Sequence, residues 1–125
     1  MTTANDFFAA KPILTKYTIG GMEEKPVFVK LLTKVDRDKL KNFVKKHTPE
    51  KDKDGNYPED FSEVDLAICA NIIFAITNDK GKPLFTEKHY ENGDMATIPE
   101  KWQSVLFGAV LECNKIDEKT IAKNS

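Results

Sequence analysis

Eleven consecutive positions, Leu66-Ala-Ile-Cys-Ala-Asn-Ile-Ile-Phe-Ala-Ile76, carry a single polar side chain, Asn71. No other stretch limits the fold so tightly. A helix that is apolar around its whole circumference must be enclosed on every side, by its own domain or by a partner. The run is too short to span a bilayer, which takes ~20 residues. Ser62 stands where a helix cap is needed, and the pattern predicts a helix over 62–77. Asn78-Asp-Lys-Gly81 then reads as a stop and a turn, with Gly81 free to take a positive φ.

Around this run the other segments fall into place. Two alternating, β-branched stretches, 13–19 and 26–32, flank Gly20-Gly21 and predict a β-hairpin over 12–33. The spacing Thr33-Lys-Val-Asp36 is that of an N-capping box, with Asp for the usual Glu. Leu40, Phe43, Val44 and His47 follow at i, i+3, i+4 and i+7, which predicts a helix over 34–47, ended by Pro49. Positions 48–61 read as a polar linker. Thr86-Glu-Lys-His-Tyr90 has room for one helical turn. Thr97-Ile-Pro-Glu100 is a second capping-box spacing, opening a helix over 98–114 with Trp102, Val105, Leu106, Ala109, Val110 and Cys113 on its buried stripe. Positions 1–11 read as loosely ordered, with at most one helical turn around residues 6–10, and 117–125 as a frayed tail. The expected fold class is α+β: a single domain over 1–125, with an N-terminal β-hairpin followed by a predominantly helical body of three main helices.

Chemistry is harder to find. Lysine and arginine number 19 against 20 acids, so the chain lacks the electrostatic footprint of a nucleic-acid binder. Lys34, Arg37, Lys39, Lys41, Lys45 and Lys46 form a local basic run without the aromatic interleaving of base readout, and read as the solvated side of a helix. The opening Met-Thr-Thr-Ala-Asn-Asp-Phe-Phe has neither a basic n-region nor a long apolar stretch, so no signal peptide is expected. Cys69 and Cys113 lie within apolar helical patterns and read as reduced core thiols, with a disulfide between facing helices as the alternative. Asp52-Lys-Asp54-Gly55-Asn56 is reminiscent of a calcium loop. Phe61 stands where the bidentate Glu should be, so the segment reads as an Asp-Gly turn. His47 and His89 have no second ligand or nucleophile visible nearby in sequence. No catalytic, metal or cofactor-binding residue is assigned, no cofactor is expected, and an enzyme is the least expected class.

The informative excess is apolar. Phe107 and Leu111, at i and i+4, point away from the predicted stripe of the last helix. Phe7-Phe8 stands near a loose terminus. Such side chains are either covered within the fold or form an interface.

Taken together, three stretches resemble the tail assembly chaperones of long-tailed bacteriophages. They are V-F-V-K-L-L-T-K-V-D-R-D-K-L from Val27, A-N-I-I-F-A-I-T-N-D-K-G-K-P-L-F from Ala70, and I-P-E-K-W-Q-S-V-L-F-G-A-V-L-E-C-N-K-I from Ile98. The positions carrying the likeness are Asp79, Gly81, Leu84, Phe85 and Asn114. The linker at 48–60 and the Phe7-Phe8 segment depart from the pattern. The resemblance implies a non-enzymatic factor, acting in the host cytoplasm and absent from the mature virion. It implies binding of the tape measure protein and the major tail tube protein, self-association into a homo-oligomer, and no membrane or nucleic-acid partner. Many such proteins also have a frameshifted longer form, for which Lys123-Asn124 is a candidate site. The residues expected to touch partners are Phe7, Phe8, Phe107 and Leu111. The rival expectations are a head–tail or tail completion protein retained in the virion, and a small nucleic-acid-binding module.

Overall fold

The computed structural model describes residues 1–8 and 11–115. The expectations for a frayed tail at 117–125 and for Lys123-Asn124 lie outside the described residues, as do Ala9 and Ala10 of the first helical turn. Described in chain order are β1 (Leu14–Tyr17), β2 (Val27–Lys30), α1 (Lys34–His47), α2 (Glu63–Ala75), β3 (Ile76–Thr77), α3 (Glu87–Glu91) and α4 (Glu100–Asn114), with 3-10 turns at Ala4–Asp6 and Asp94–Thr97. The fold is α+β.

α2 is the centre of the molecule. Leu66, Cys69, Ala70, Ile72, Ile73 and Ala75 are all buried. Its one mid-helix polar group, Asn71, donates from Nδ2 to the carbonyl of Ala67 at 2.8 Å, so it satisfies itself within the helix. Most of the apolar run is covered inside the domain, with Ala67, Ile68 and Phe74 only partly buried. Each fully buried Leu or Ile side chain contributes roughly 1.5–3 kcal/mol.

The helix was expected to reach 77, but it stops at Ala75, and Ile76–Thr77 turn extended. These two β-branched residues pair antiparallel with β2, giving a three-stranded sheet in the order β1-β2-β3. A short apolar run suits either a buried helix or a buried strand. Here the open edge of the β-hairpin decides it. Thr77, a buried polar residue, places its hydroxyl 2.9 Å from the carbonyl of Asn78 and 3.3 Å from that of Phe28.

In the hairpin, Leu14 lies opposite Lys30 and Tyr17 opposite Val27. Val27 and Val29 point into the core. α1 begins as its sequence requires. Thr33 Oγ1 accepts from the Asp36 N–H at 3.2 Å, and Asp36 Oδ2 accepts from the Thr33 N–H at 3.0 Å. Lys30 Nζ adds an ion pair to Asp36 at 2.9 Å. Partial burial works against the Asp36 carboxylate, but these hydrogen bonds and Lys30 outweigh it and hold the group below its ordinary range.

α4 starts two residues later than the spacing predicts. Thr97 closes the preceding 3-10 turn, its hydroxyl donating back to the Asp94 carbonyl at 2.6 Å. Pro99 takes the cap position instead. The buried side of α4 is Leu106, Ala109 and Val110. Val105, expected on that side, is exposed. Trp102, expected in the core, is only partly buried and lies against the hairpin loop, close to Gly21. Both departures have one cause: α4 packs on α2 and β2 with a narrow fully buried face of Leu106, Ala109 and Val110.

Candidate partner-binding site

Large apolar side chains stay exposed at several places among the described residues, Ile13, Leu31, Val35, Val64 and Leu84 included, and two elements carry the ones expected to meet a partner. The first is the outer side of α4, where Val105 and Leu111 are exposed. Leu111 borders a cleft of about 460 Å³ together with Arg37, Asn71 and Asn114. Phe107, the other residue expected here, is partly buried and packs against the core. The second element is the N-terminal arm. A 3-10 turn over Ala4–Asp6, closed by Asp6 Oδ2 accepting from the Thr3 N–H at 2.8 Å, presents Phe7 and Phe8 at 79% and 68% exposure. The four predicted residues thus sit on two separate elements of the chain.

Sequence reasoning missed a third feature. Where α1, α2 and the segment after the 78–81 turn meet, they enclose a groove of about 560 Å³. Its floor is Phe43, Ile73, Phe74 and Phe85, and its rim carries Lys39 and Lys46. Phe43 and Phe74 meet edge to face, with ring centroids 5.8 Å apart. The turn that delivers Phe85 is built by Asn78. Its Oδ1 accepts from the N–H groups of Lys80 at 2.9 Å and Lys82 at 3.0 Å. Gly81 holds φ +80, and a Cβ there would fall 2.8 Å from Pro12 Cγ. The only hint in the sequence was the pair of aromatics, Phe74 and Phe85, on either side of that turn.

The fold also supplies His47 with neighbours that the sequence did not predict. His47 Nε2 lies 3.0 Å from Glu87 Oε1 and 4.0 Å from Glu91 Oε2. Lys46 Nζ reaches the same Glu87 oxygen at 3.1 Å. Hydrogen bonds from His47 and Lys46 hold the Glu87 carboxyl below its usual range. The donor set of one imidazole and two carboxylates is of a kind that binds divalent metals. Here the lysine ammonium already sits on the shared oxygen, and Glu87 links Lys46 and His47 at the end of α1 to α3. His89 is committed locally, its Nδ1 accepting from the Thr86 N–H at 3.0 Å. Asp52, at the third position of the suspected calcium loop, spends Oδ1 on the N–H groups of Asp54 and Asn56, both at 2.9 Å. Cys69 and Cys113 are free thiols. Burial, with Asp65 beside it, pushes the Cys69 thiol up and away from reactivity.

No helix among the described residues is long and apolar enough to cross a membrane. The arrangement of a packed three-helix body on a small antiparallel sheet, with apolar side chains left outward on α4 and the arm, defines an α+β scaffold with surface to offer a partner. The same fold is found in a solved structure, that of the bacteriophage HK97 tail assembly chaperone. The two align over 82% of this chain and 85% of that one, with a TM-score of 0.50 and 12% sequence identity. The resemblance read from the sequence is therefore borne out at the level of the fold. No protein-family model matches the sequence, and no curated protein matches it.

Proposed function

We propose that this chain is a phage tail assembly chaperone without catalytic activity, acting through hydrophobic contacts on the tape measure protein and the major tail tube protein in the host cytoplasm. The observation that carries the reading is the shared fold with the HK97 protein across more than four-fifths of both chains. The open apolar surface supports it as well. A chaperone of this kind competes with self-association of a client's apolar helices, and needs a few hydrophobic anchors in a charged, soluble surround. Leu111 and Val105 on α4 are the client-facing anchors, with Phe107 supporting them from its partly buried position. The reading also implies that the protein leaves the particle before maturation.

Co-expression with the tape measure protein tests this. The soluble fraction of that protein should rise when the chain is present. Leu111→Asp should abolish the rise while leaving the thermal unfolding of the domain unchanged. Phe107→Asp is the poorer probe, because its partial burial couples binding to stability. A client equally soluble with and without the chain, or the chain found abundantly in purified particles, would overturn the proposal.

A further inference from the structure

We propose that His47, Glu87 and Glu91 hold a divalent transition-metal ion of the zinc type, which pins α3 onto the end of α1. His47 Nε2 lies 3.0 Å from Glu87 Oε1 and 4.0 Å from Glu91 Oε2, and one ligand atom of each residue lies within 4.8 Å of the other two. Zinc bonds of about 2.0–2.2 Å in a tetrahedral shell need donor atoms roughly 3.3–3.6 Å apart. The observed separations fall on either side of that. The carboxylates, 41% and 49% exposed, have room to rotate and close the difference. Glu87 and Glu91 stand four apart on α3 and so share a face. The imidazole is the fixed member. Its side chain is 13% exposed, and its ring packs against Phe43 and Tyr90 with centroids 4.6 Å and 5.1 Å away. One anchored nitrogen and two carboxylates open to solvent supply both a rigid ligand and an entry path.

The donor types select the ion. Calcium and magnesium take shells of six or more oxygens, whereas mixed imidazole and carboxylate donors suit zinc and its neighbours. Three protein ligands leave the fourth position to water. Charge agrees. Two carboxylates beside a neutral imidazole carry two negative charges, of which Lys46 offsets one and a divalent ion offsets both. Lys46 is therefore a competitor at the shared Glu87 oxygen. Its side chain is 61% exposed on a flexible stem and can swing into water. In the structure the imidazole Nε2–H donates to the Glu87 carboxylate, which can only accept. On metal binding that proton passes to Nδ1, and the freed Nε2 lone pair coordinates. The tie matters because α3 is five residues long, too short to sustain a helix alone. The site depends on these residues alone and not on the chaperone reading.

The test uses the purified full chain and zinc chloride. Isothermal titration calorimetry should give one ion per chain, and saturation should raise the thermal unfolding midpoint. Excess magnesium should not compete. Glu87→Gln and Glu91→Gln should each weaken binding by about tenfold or more. Glu91 reaches His47 only at 4.0 Å, so its variant keeps the fold. Lys46→Gln should tighten zinc binding, an outcome that a merely structural ion pair does not produce. In NMR spectra the His47 ring signals should move with zinc while those of His89, held by Thr86, stay. Absence of saturable zinc binding overturns the proposal. So does an affinity indifferent to the Glu87 and Glu91 variants, or zinc binding that is lost in Cys113→Ser while the His47 signals never move.

Discussion

Asn114, at the end of α4, accepts the backbone N–H of Leu32 on its Oδ1 at 2.7 Å, across 82 positions of sequence. Its Nδ2 donates to the carbonyl of Lys30 at 3.2 Å and to that of Val110 at 3.0 Å. One carboxamide thus finishes a helix and ties it to the end of β2. No other side chain of that size offers an acceptor and two donors in one plane. Asn114→Ala leaves the Leu32 N–H and the Lys30 carbonyl without their partner, and should cost about 1–3 kcal/mol in urea unfolding. Asn114→Asp keeps the acceptor but loses both donations, and places a negative charge at a helix C-terminus. It should be no more stable than the alanine variant by more than about 1 kcal/mol.

Gly81 is constrained twice, by its positive φ and by Pro12. Gly81→Ala should destabilise the protein by about 1–3 kcal/mol. Part of that loss is a steric clash. In a double-mutant cycle, Pro12→Ala should therefore recover some of it, and strictly additive losses would show that Pro12 plays no part.

Trp102 is the largest side chain in the protein, yet it is only partly buried. Trp102→Ala should cost less than the ~3–5 kcal/mol typical of an enclosed tryptophan. Leu66→Ala, within the centre of α2, should cost about 2–5 kcal/mol and exceed it. Equal losses in a denaturant series would place Trp102 in the core after all.

Asp36 makes stability depend on pH. Its folded carboxyl lies below its ordinary range, so the unfolded chain takes up a proton first as the solution is acidified. Its contribution is complete above the unfolded value of about 3.9 and is lost as pH falls through the lower folded value. Urea midpoints measured down an acid series should fall in that window. In Asp36→Asn the part of the fall due to this group should disappear.

Signals in the sequence that depend on neighbours in the chain hold in the structure. Thr33 and Asp36 cap α1 as their spacing requires, and Ser62 caps α2 through its hydroxyl at 3.2 Å from the Asp65 N–H. Sequence pattern and structure part where the outcome depends on distant partners. Ile76 and Thr77 read as helix because nothing nearby reveals the free edge of β2. Thr97 read as a forward cap because its backward bond to Asp94 depends on a turn the pattern does not announce. Val105 and Trp102 read as buried because a helical stripe gives the direction of the core but not its width. Asn114 stood out as a position in the resemblance, yet its reason lies on β2, far away in sequence. The groove was invisible for the same cause: Phe43, Phe74 and Phe85 come from three elements and meet only in space.

The enclosure of α2 has a consequence for how such a protein can change. The residues that keep the chain folded, such as Ile72 and Leu66, are not the ones that face outward, such as Val105, Leu111 and Phe7. Sites without shared neighbours contribute independently to free energy. The outward positions can accordingly change one by one while the scaffold beneath stays as it is.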